Sequence, residues 1–422
     1  MRINQNKFFE NFLTITWFAG LPLLILAGLV AGGIVLIQGL GITNLTDLVP
    51  WGLWITIDLS AIALSAGAFS LCAAVYLLGL KQYEPVARTA TFIGIIGYSM
   101  AMMCLLMDIG RPDRFWHGFV FWNTHSVLWE VTMCVGLYFS VLALETLPII
   151  GGTKWMQSAF PWLSNRLNSV HRIAPVLAIL GLTFSLLHQS SLGATYGVIQ
   201  AKPVWYRPSL AILFIISAVI GGISLTILAS MLAARTSPRA NVNDELLEKL
   251  ARIIGWSLIG YLYFRFWDMF AQTYNHQPGR FEGLEVLTKG SLAFNFWIGE
   301  IILGIIIPSI LLLNSRFRNN PILRMIALAL VAGGVVAYRW DTNLVGQMIV
   351  LTYLPQEIAA RYTSYFPSLI EIIAGAGVVA YGLFAFTIGV RYFNVVDHKV
   401  KHKPVESAIE KHATLPEAVA TD

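Results

Sequence analysis

Charge is scarce in this chain. Asp, Glu, Lys and Arg make up 12% of its 422 residues, against 56% apolar residues and a mean hydropathy of +0.67. A water-soluble domain of this size would not carry that balance on its surface, so the composition points to a polytopic membrane protein. Cysteine is also sparse. Cys72, Cys104 and Cys134 each fall inside an apolar run, with no CxxC or other ligand spacing. That pattern supports neither a disulfide framework nor an iron–sulfur cluster and leaves three small buried hydrophobes. Of eight histidines only His188 lies in a spanning segment. Haem b needs two axial ligands on facing helices, so neither intrinsic haem nor a metal site is expected. The formal charge of +5 is better explained by membrane topology than by nucleic acid, which is not expected as a partner. The N-terminus lacks a small-residue cleavage site after a short apolar core, so its first run is expected to be an uncleaved helix.

Apolar runs of spanning length, about 20 residues at 1.5 Å rise, are plentiful. They fall at roughly 14–39, 52–78, 89–108, 126–148, 171–189, 209–233, 252–272, 291–314, 322–341 and 368–393. Backbone groups in lipid must pair internally, so the expectation is an all-α bundle of ten transmembrane helices with both termini on one side. The transmembrane domain covers 1–393, and 394–422 reads as a polar cytoplasmic tail. Lys and Arg on the side of the termini outnumber those on the other more than twofold. The positive-inside rule then puts both termini in the cytoplasm and the 109–125 loop outside, in the periplasm if the source is a bacterium.

With orientation fixed, the ionisable groups at helix ends share a depth. Asp58, Glu130, Glu300 and Glu371 come early in helices entering from outside. Asp108, His188, Arg265, Asp268, Arg339 and Asp341 come late in helices leaving there. The inner halves hold hydroxyls, glycines and cysteines, with Glu145 near the inner end of the fourth helix. A one-sided polar cavity follows. An intramembrane carboxylate costs roughly 2.5–3.5 kcal/mol to insert unless it finds a partner or water, so Asp58 and Glu130 are read as site residues, against the blander reading of a carboxylate satisfied by a neighbouring hydroxyl. His188, followed by Gln189, Ser190 and Ser191, offers donors and acceptors suited to a carbonyl ligand. Arg265 and Asp268 are three apart and are placed to pair with each other. Arg339 and Asp341 point different ways and need partners on other helices. With Glu300 and Glu371 these form a second polar network, for protons or for helix packing. Trp51, Trp54, Trp116, Trp122 and Trp129 read mostly as an interfacial belt. Arg111, Asp113, Arg114 and His117 in the outer loop are either solvated or meet an extrinsic partner.

At PWGLWITID, DIGRPDRFWH, NTHSVLWE, LHQSSLG and YFPSLIE the sequence resembles the NrfD/PsrC family, the integral membrane subunits of bacterial quinone-linked redox complexes. The likeness is greatest to the hydrogenase-2 type and quinone reductase complex subunits. It implies two four-helix bundles, helices 2 to 5 and 6 to 9, flanked by helices 1 and 10. It also implies a menaquinone site near the outer face of the first bundle, beside a periplasmic ferredoxin-like iron–sulfur subunit, with further catalytic or cytochrome subunits. Carried onto matching positions, that site involves Asp58, Asp108, His125, Glu130 and His188, with Trp51, Gln189 and Ser190 around it.

The expected function is therefore exchange of electrons between an iron–sulfur partner and menaquinone in the bacterial inner membrane. Asp58, Glu130 and His188 would orient the quinone and handle its protons. Coupling to proton translocation would have to use hydroxyls and water in the inner half. A secondary transporter, or an anchor that only scaffolds its partners, are the alternatives.

Overall fold

The structure, a computed structural model, describes residues 2–398 apart from 354, 357 and 394, with side chains from Thr16 onward. The rest of the expected tail, 399–422, lies outside the described residues. Ten long helical segments occur among the described residues, near the expected positions. They are α1 Arg2–Gln38, α2 Leu53–Tyr76, α3 Glu84–Asp108, α4 Val127–Gly151, α5 Ala174–Gly197, α6 Ser209–Thr236, α7 Asp244–Thr273, α8 Asn295–Leu313, α9 Pro321–Val345 and α10 Leu369–Tyr392. Nine are long and apolar enough to cross a membrane; α7, with Asp244, Glu245, Glu248, Lys249 and Arg252 at one end and Arg265 and Asp268 at the other, is not among them.

Local chemistry sets several helix starts. The Ser126 hydroxyl accepts from Trp129 N–H ahead of α4, and Asn243 accepts from Leu246 N–H ahead of α7, whose first turn carries Asp244 and Glu245 against the helix dipole. Pro321 opens α9 behind an Asn320 cap, and Ser368 with Glu371 forms a capping box on α10.

Adjacent helices touch in a ring from α2 to α5 (α2 on α3, α3 on α4, α4 on α5, α5 on α2) and in another from α6 to α9, while α1 lies along α10. The rings meet where α6 packs on α2 and α5, and α9 on α2. Hydrophobic driving force is weak between helices in lipid, so close backbone approach at small residues carries much of this packing. A Cβ on Gly28 would meet Gly377 at 2.5 Å, and one on Gly304 would meet Gly334 at 2.6 Å. At the central seam α2 breaks at Ala66, whose N–H bonds back to Ala63 O at 3.1 Å, and a Cβ on Gly222 would sit 2.1 Å from Gly67 N.

Two features depart from the expected helices and plain loops. From Asn295 to Ile306 α8 is π-helical, a form that often marks functional positions. Between α9 and α10, Ile349–Tyr353 pairs antiparallel with Ile358–Tyr362, from Ile349 opposite Tyr362 to Tyr353 opposite Ile358. Past the expected domain end, Val395 and Val396 are buried beside Phe92, Ile149 and Val390, and Asn241 N–H donates to Val396 O while His398 N–H donates to Asn241 O.

Candidate functional site

The first ring gathers unmatched polar atoms. Asp58 on α2 is 3% exposed and its Oδ1 has no hydrogen-bond partner among the described residues; the same holds for Oδ1 of half-buried Asp108, which closes α3 near enough to interact electrostatically with Asp58. His188 on α5 is fully buried. Its Nδ1 shares a 2.8 Å hydrogen bond with the Tyr98 hydroxyl on α3, while Nε2 has no partner among the described residues. Gln189 donates through Nε2 to Ile62 O on α2 at 3.2 Å and leaves Oε1 unmatched. The Tyr98 ring meets Tyr138 of α4 edge-on at 4.8 Å, and the buried Ser185 hydroxyl lies near enough to both tyrosines to interact with their hydroxyls. Each unmatched atom costs roughly 1–3 kcal/mol if nothing meets it. The second ring also leaves such atoms, on Tyr261, Tyr338, Arg339 and Asp341; those of the first ring can be met by water or a polar ligand. Glu130, in the first turn of α4, accepts from Ser191 Oγ at 2.8 Å, which ties α4 to α5 one turn beyond His188.

The structure thus brings Asp58, Asp108, His188 and Gln189 into one region and connects Glu130 to it through Ser191. Other expectations are redrawn. His188 is not at a helix end: α5 continues nine residues to Gly197, about 13 Å further. Ser190 returns its hydroxyl to Leu187 O at 2.8 Å, and Ser191 takes the role expected of it. His125 is exposed in the loop, its N–H on Asn123 Oδ1. Trp51 and Trp54 do not form a belt. Trp54 is 1% exposed and donates to Glu371 O at 3.0 Å, and Trp51 stacks on Trp205 (6.0 Å) and meets Tyr196 edge-on (5.5 Å). Trp116 and Trp122 are exposed, in keeping with an interfacial position.

A seam of amides at the entry into α2 escaped the sequence reading. Asn343 Nδ2 donates to Trp51 O at 2.9 Å, and its Oδ1 accepts from Tyr196. Gln347 donates to Trp51 O and accepts from Trp51 N–H, fixing the entry into α2. The polar DTNLVGQ stretch was the available signal.

In the outer loop Arg111 forks onto Asp113 at 3.0 and 2.9 Å, with Arg114 at 3.9 Å, all exposed. Arg111 holds the Asp113 carboxyl below the usual range. His117 meets Trp116 edge-on at 4.2 Å, and Phe115, Phe121 and Trp122 stand exposed beside them.

The second ring holds a denser network. Arg265 makes a bidentate pair with Glu300 (2.7 and 3.1 Å) and bonds Asp268 at 3.0 Å, so the expected i,i+3 pair exists but shares its arginine. Asp268 also accepts from Arg207 at 2.8 Å and from Gln272. Arg339 lies 3.6 Å over the Phe214 ring and donates to Phe214 O and Ser217 on α6. Asp341 accepts from Asn295 on α8 at 2.8 Å. Both therefore find partners on other helices, as their spacing required. Glu371 is held apart from this network: it accepts from Asn44 N–H, the Ser368 N–H and hydroxyl, and the Tyr365 hydroxyl.

A helical membrane protein with a buried polar site in one ring and an ion-paired network in the other is the class these observations define. Residues 41–351 match the family model described as "Polysulphide reductase, NrfD", and the protein belongs to that family, as the motifs indicated. It is 32% identical over 381 residues to the menaquinone reductase integral membrane subunit of Nitratidesulfovibrio vulgaris, an alignment spanning 87% of this sequence and 88% of that one. It is 27% identical to a probable Ni/Fe-hydrogenase 2 b-type cytochrome subunit of Escherichia coli, over 86% and 87% of the two sequences. Identity to the Hdr-like menaquinol oxidoreductase integral membrane subunit of Archaeoglobus fulgidus is 25%, over 91% of this sequence and 95% of that one. Family membership and the apolar helices together define a multi-pass integral membrane protein.

Proposed function

We propose that this protein is the quinone-handling membrane subunit of a bacterial redox complex, accepting menaquinone in the α2–α5 ring and exchanging two electrons with an iron–sulfur subunit docked on the 109–125 loop. The observation that carries the reading is the buried set of Asp58 Oδ1, Asp108 Oδ1, His188 Nε2 and Gln189 Oε1, with Tyr98 fixing the imidazole from behind. A quinone head group presents two carbonyl acceptors, and its reduction takes two electrons and two protons. His188, with Nε2 carrying the proton, can donate to a quinone carbonyl, and Gln189 Oε1 can accept from the hydroxyl of the reduced quinol; Asp58 and Glu130 suit the proton demand. The membrane-subunit names of the relatives support the same role.

The packing pairs support ten spans in two four-helix bundles, with α1 and α10 flanking. The basic residues support cytoplasmic termini, a site on the periplasmic side and an inner-membrane location. Protons drawn from the cytoplasmic end would enter by a cavity of about 90 Å³ lined by Glu84, Arg88, Glu145 and His171. Tyr138, two turns from Glu145 on α4, stands between that cavity and Tyr98. The closed pairing of Arg265, Asp268 and Glu300 favours a bracing role for the second network over a proton route.

Glu130→Gln in the intact complex tests the reading, because the amide oxygen still accepts from Ser191. The complex should assemble and lose quinone-linked turnover by about 100-fold or more. Assembly with unchanged turnover would leave an anchor, and uptake of a solute by the isolated subunit in liposomes a transporter.

A further inference from the structure

Between Glu145 and Asp244 the sequence contains no acidic residue. Within that interval, the connection from α4 to α5 lies at the opposite end of the first ring from Asp58 and Asp108. It holds two short helices, Lys154–Ala159 and Pro161–Ser169. The second is docked on the end of α4: the buried Ser164 hydroxyl donates to Gly151 O at 2.8 Å, and a Cβ on Gly151 would meet Leu167 Cβ at 2.8 Å. The side turned away carries Trp155 (65% exposed), Phe160 (47%) and Trp162 (63%), with Lys154, Arg166 and Arg172 on the same connection. The Arg166 guanidinium lies 5.6 Å over the Trp162 ring.

Three basic groups at this end have acidic partners: Lys249 pairs with Glu245, Arg318 with Glu248 and Arg324 with Asp244. Among the described residues Lys154, Arg166 and Arg172 form no ion pair. Unneutralised cations interleaved with exposed indoles, on a segment fixed to the end of a spanning helix, match the chemistry of a bilayer interface with negative head groups.

We propose that the 154–172 connection is an in-plane interfacial element that binds anionic phospholipid. Trp155, Phe160 and Trp162 sit at acyl-chain level, and Lys154, Arg166 and Arg172 hold the phosphates. The ligand is a lipid of the surrounding bilayer rather than free phosphate, because the aromatic groups extend the surface that the charges define.

The test reconstitutes the full-length protein in nanodiscs of phosphatidylcholine with a minority of phosphatidylglycerol, with bromine on the acyl chains of one lipid or the other. Comparing wild type with Trp155→Phe/Trp162→Phe isolates the fluorescence of these two indoles. That fraction should be quenched more by brominated phosphatidylglycerol than its abundance predicts. Lys154→Gln/Arg166→Gln/Arg172→Gln should remove the excess, about fivefold in enrichment per charge, while quenching by phosphatidylcholine remains. Quenching in proportion to lipid abundance would overturn the proposal, as would indoles reached only by aqueous quenchers, which would point to water or an acidic partner protein. Loss of the excess on adding inorganic phosphate at matched ionic strength would reassign the site to free phosphate. If the triple variant does not fold, the wild-type comparison of the two lipids decides alone.

Discussion

Replacing Tyr98 by Phe removes one oxygen and nothing else from the first ring. Both partners of the 2.8 Å Tyr98–His188 contact are fully buried, so no water replaces the lost hydroxyl without rearrangement. A buried ring nitrogen left unmatched costs about 1–3 kcal/mol. If His188 acts on quinone through Nε2, the imidazole loses its fixed tautomer and orientation, and quinone-linked turnover should fall by about 5- to 150-fold. The assay is turnover of the intact complex with a soluble menaquinone analogue, alongside the partner's own dye-linked activity, which should not change. The decisive comparison is a double-mutant cycle. In a His188→Gln background, Tyr98→Phe should add little, because Tyr98 acts through the imidazole. Full additivity of the two losses, or normal turnover in an assembled Tyr98→Phe complex, would refute the positioning role.

Two further outcomes follow from the ion pairs and the docked C-terminal stretch. Glu300→Ala leaves Arg265 buried with only Asp268 as counter-charge, and the detergent-solubilised protein should lose about 3 kcal/mol of stability, read as a lowered melting temperature; Arg265→Met/Glu300→Met should lie closer to wild type than Glu300→Ala. Burial lowers the His398 imidazole from its usual 6.5 to about 4, with Asp397 opposing. The released segment therefore binds the proton more readily, so docking of residues 395–398 should be unaffected above about pH 7 and weaken as pH falls from about 6.5 towards 4. Hydrogen exchange at Asn241 and His398 would report this, and a flat profile would refute it.

How much of this was legible in the sequence depends on the separation of the partners. Asp58, Asp108 and His188 stood out because ionisable groups in apolar runs are rare, and Arg265–Asp268 was legible because three residues apart means one helical face. Glu300, the stronger partner of Arg265, lies 35 residues on and could not be paired without the fold. Tyr98 gave no signal because a mid-helix tyrosine resembles core. Glu371 was misread although Ser368 three residues before it spelled a capping box. The hairpin at 349–362 was also open to reading, as two short β-branched and aromatic runs, but a helix-only expectation passed over it.

Trp51 reaches Asn343 across 292 residues of sequence and Gln347 across 296. During synthesis the entry into α2 therefore stays untethered until α9 has been made. A nascent polypeptide ending after α5 lacks the Asn343 and Gln347 amides that hold Trp51. Premature truncation before α9 should accordingly yield a species that is more readily degraded.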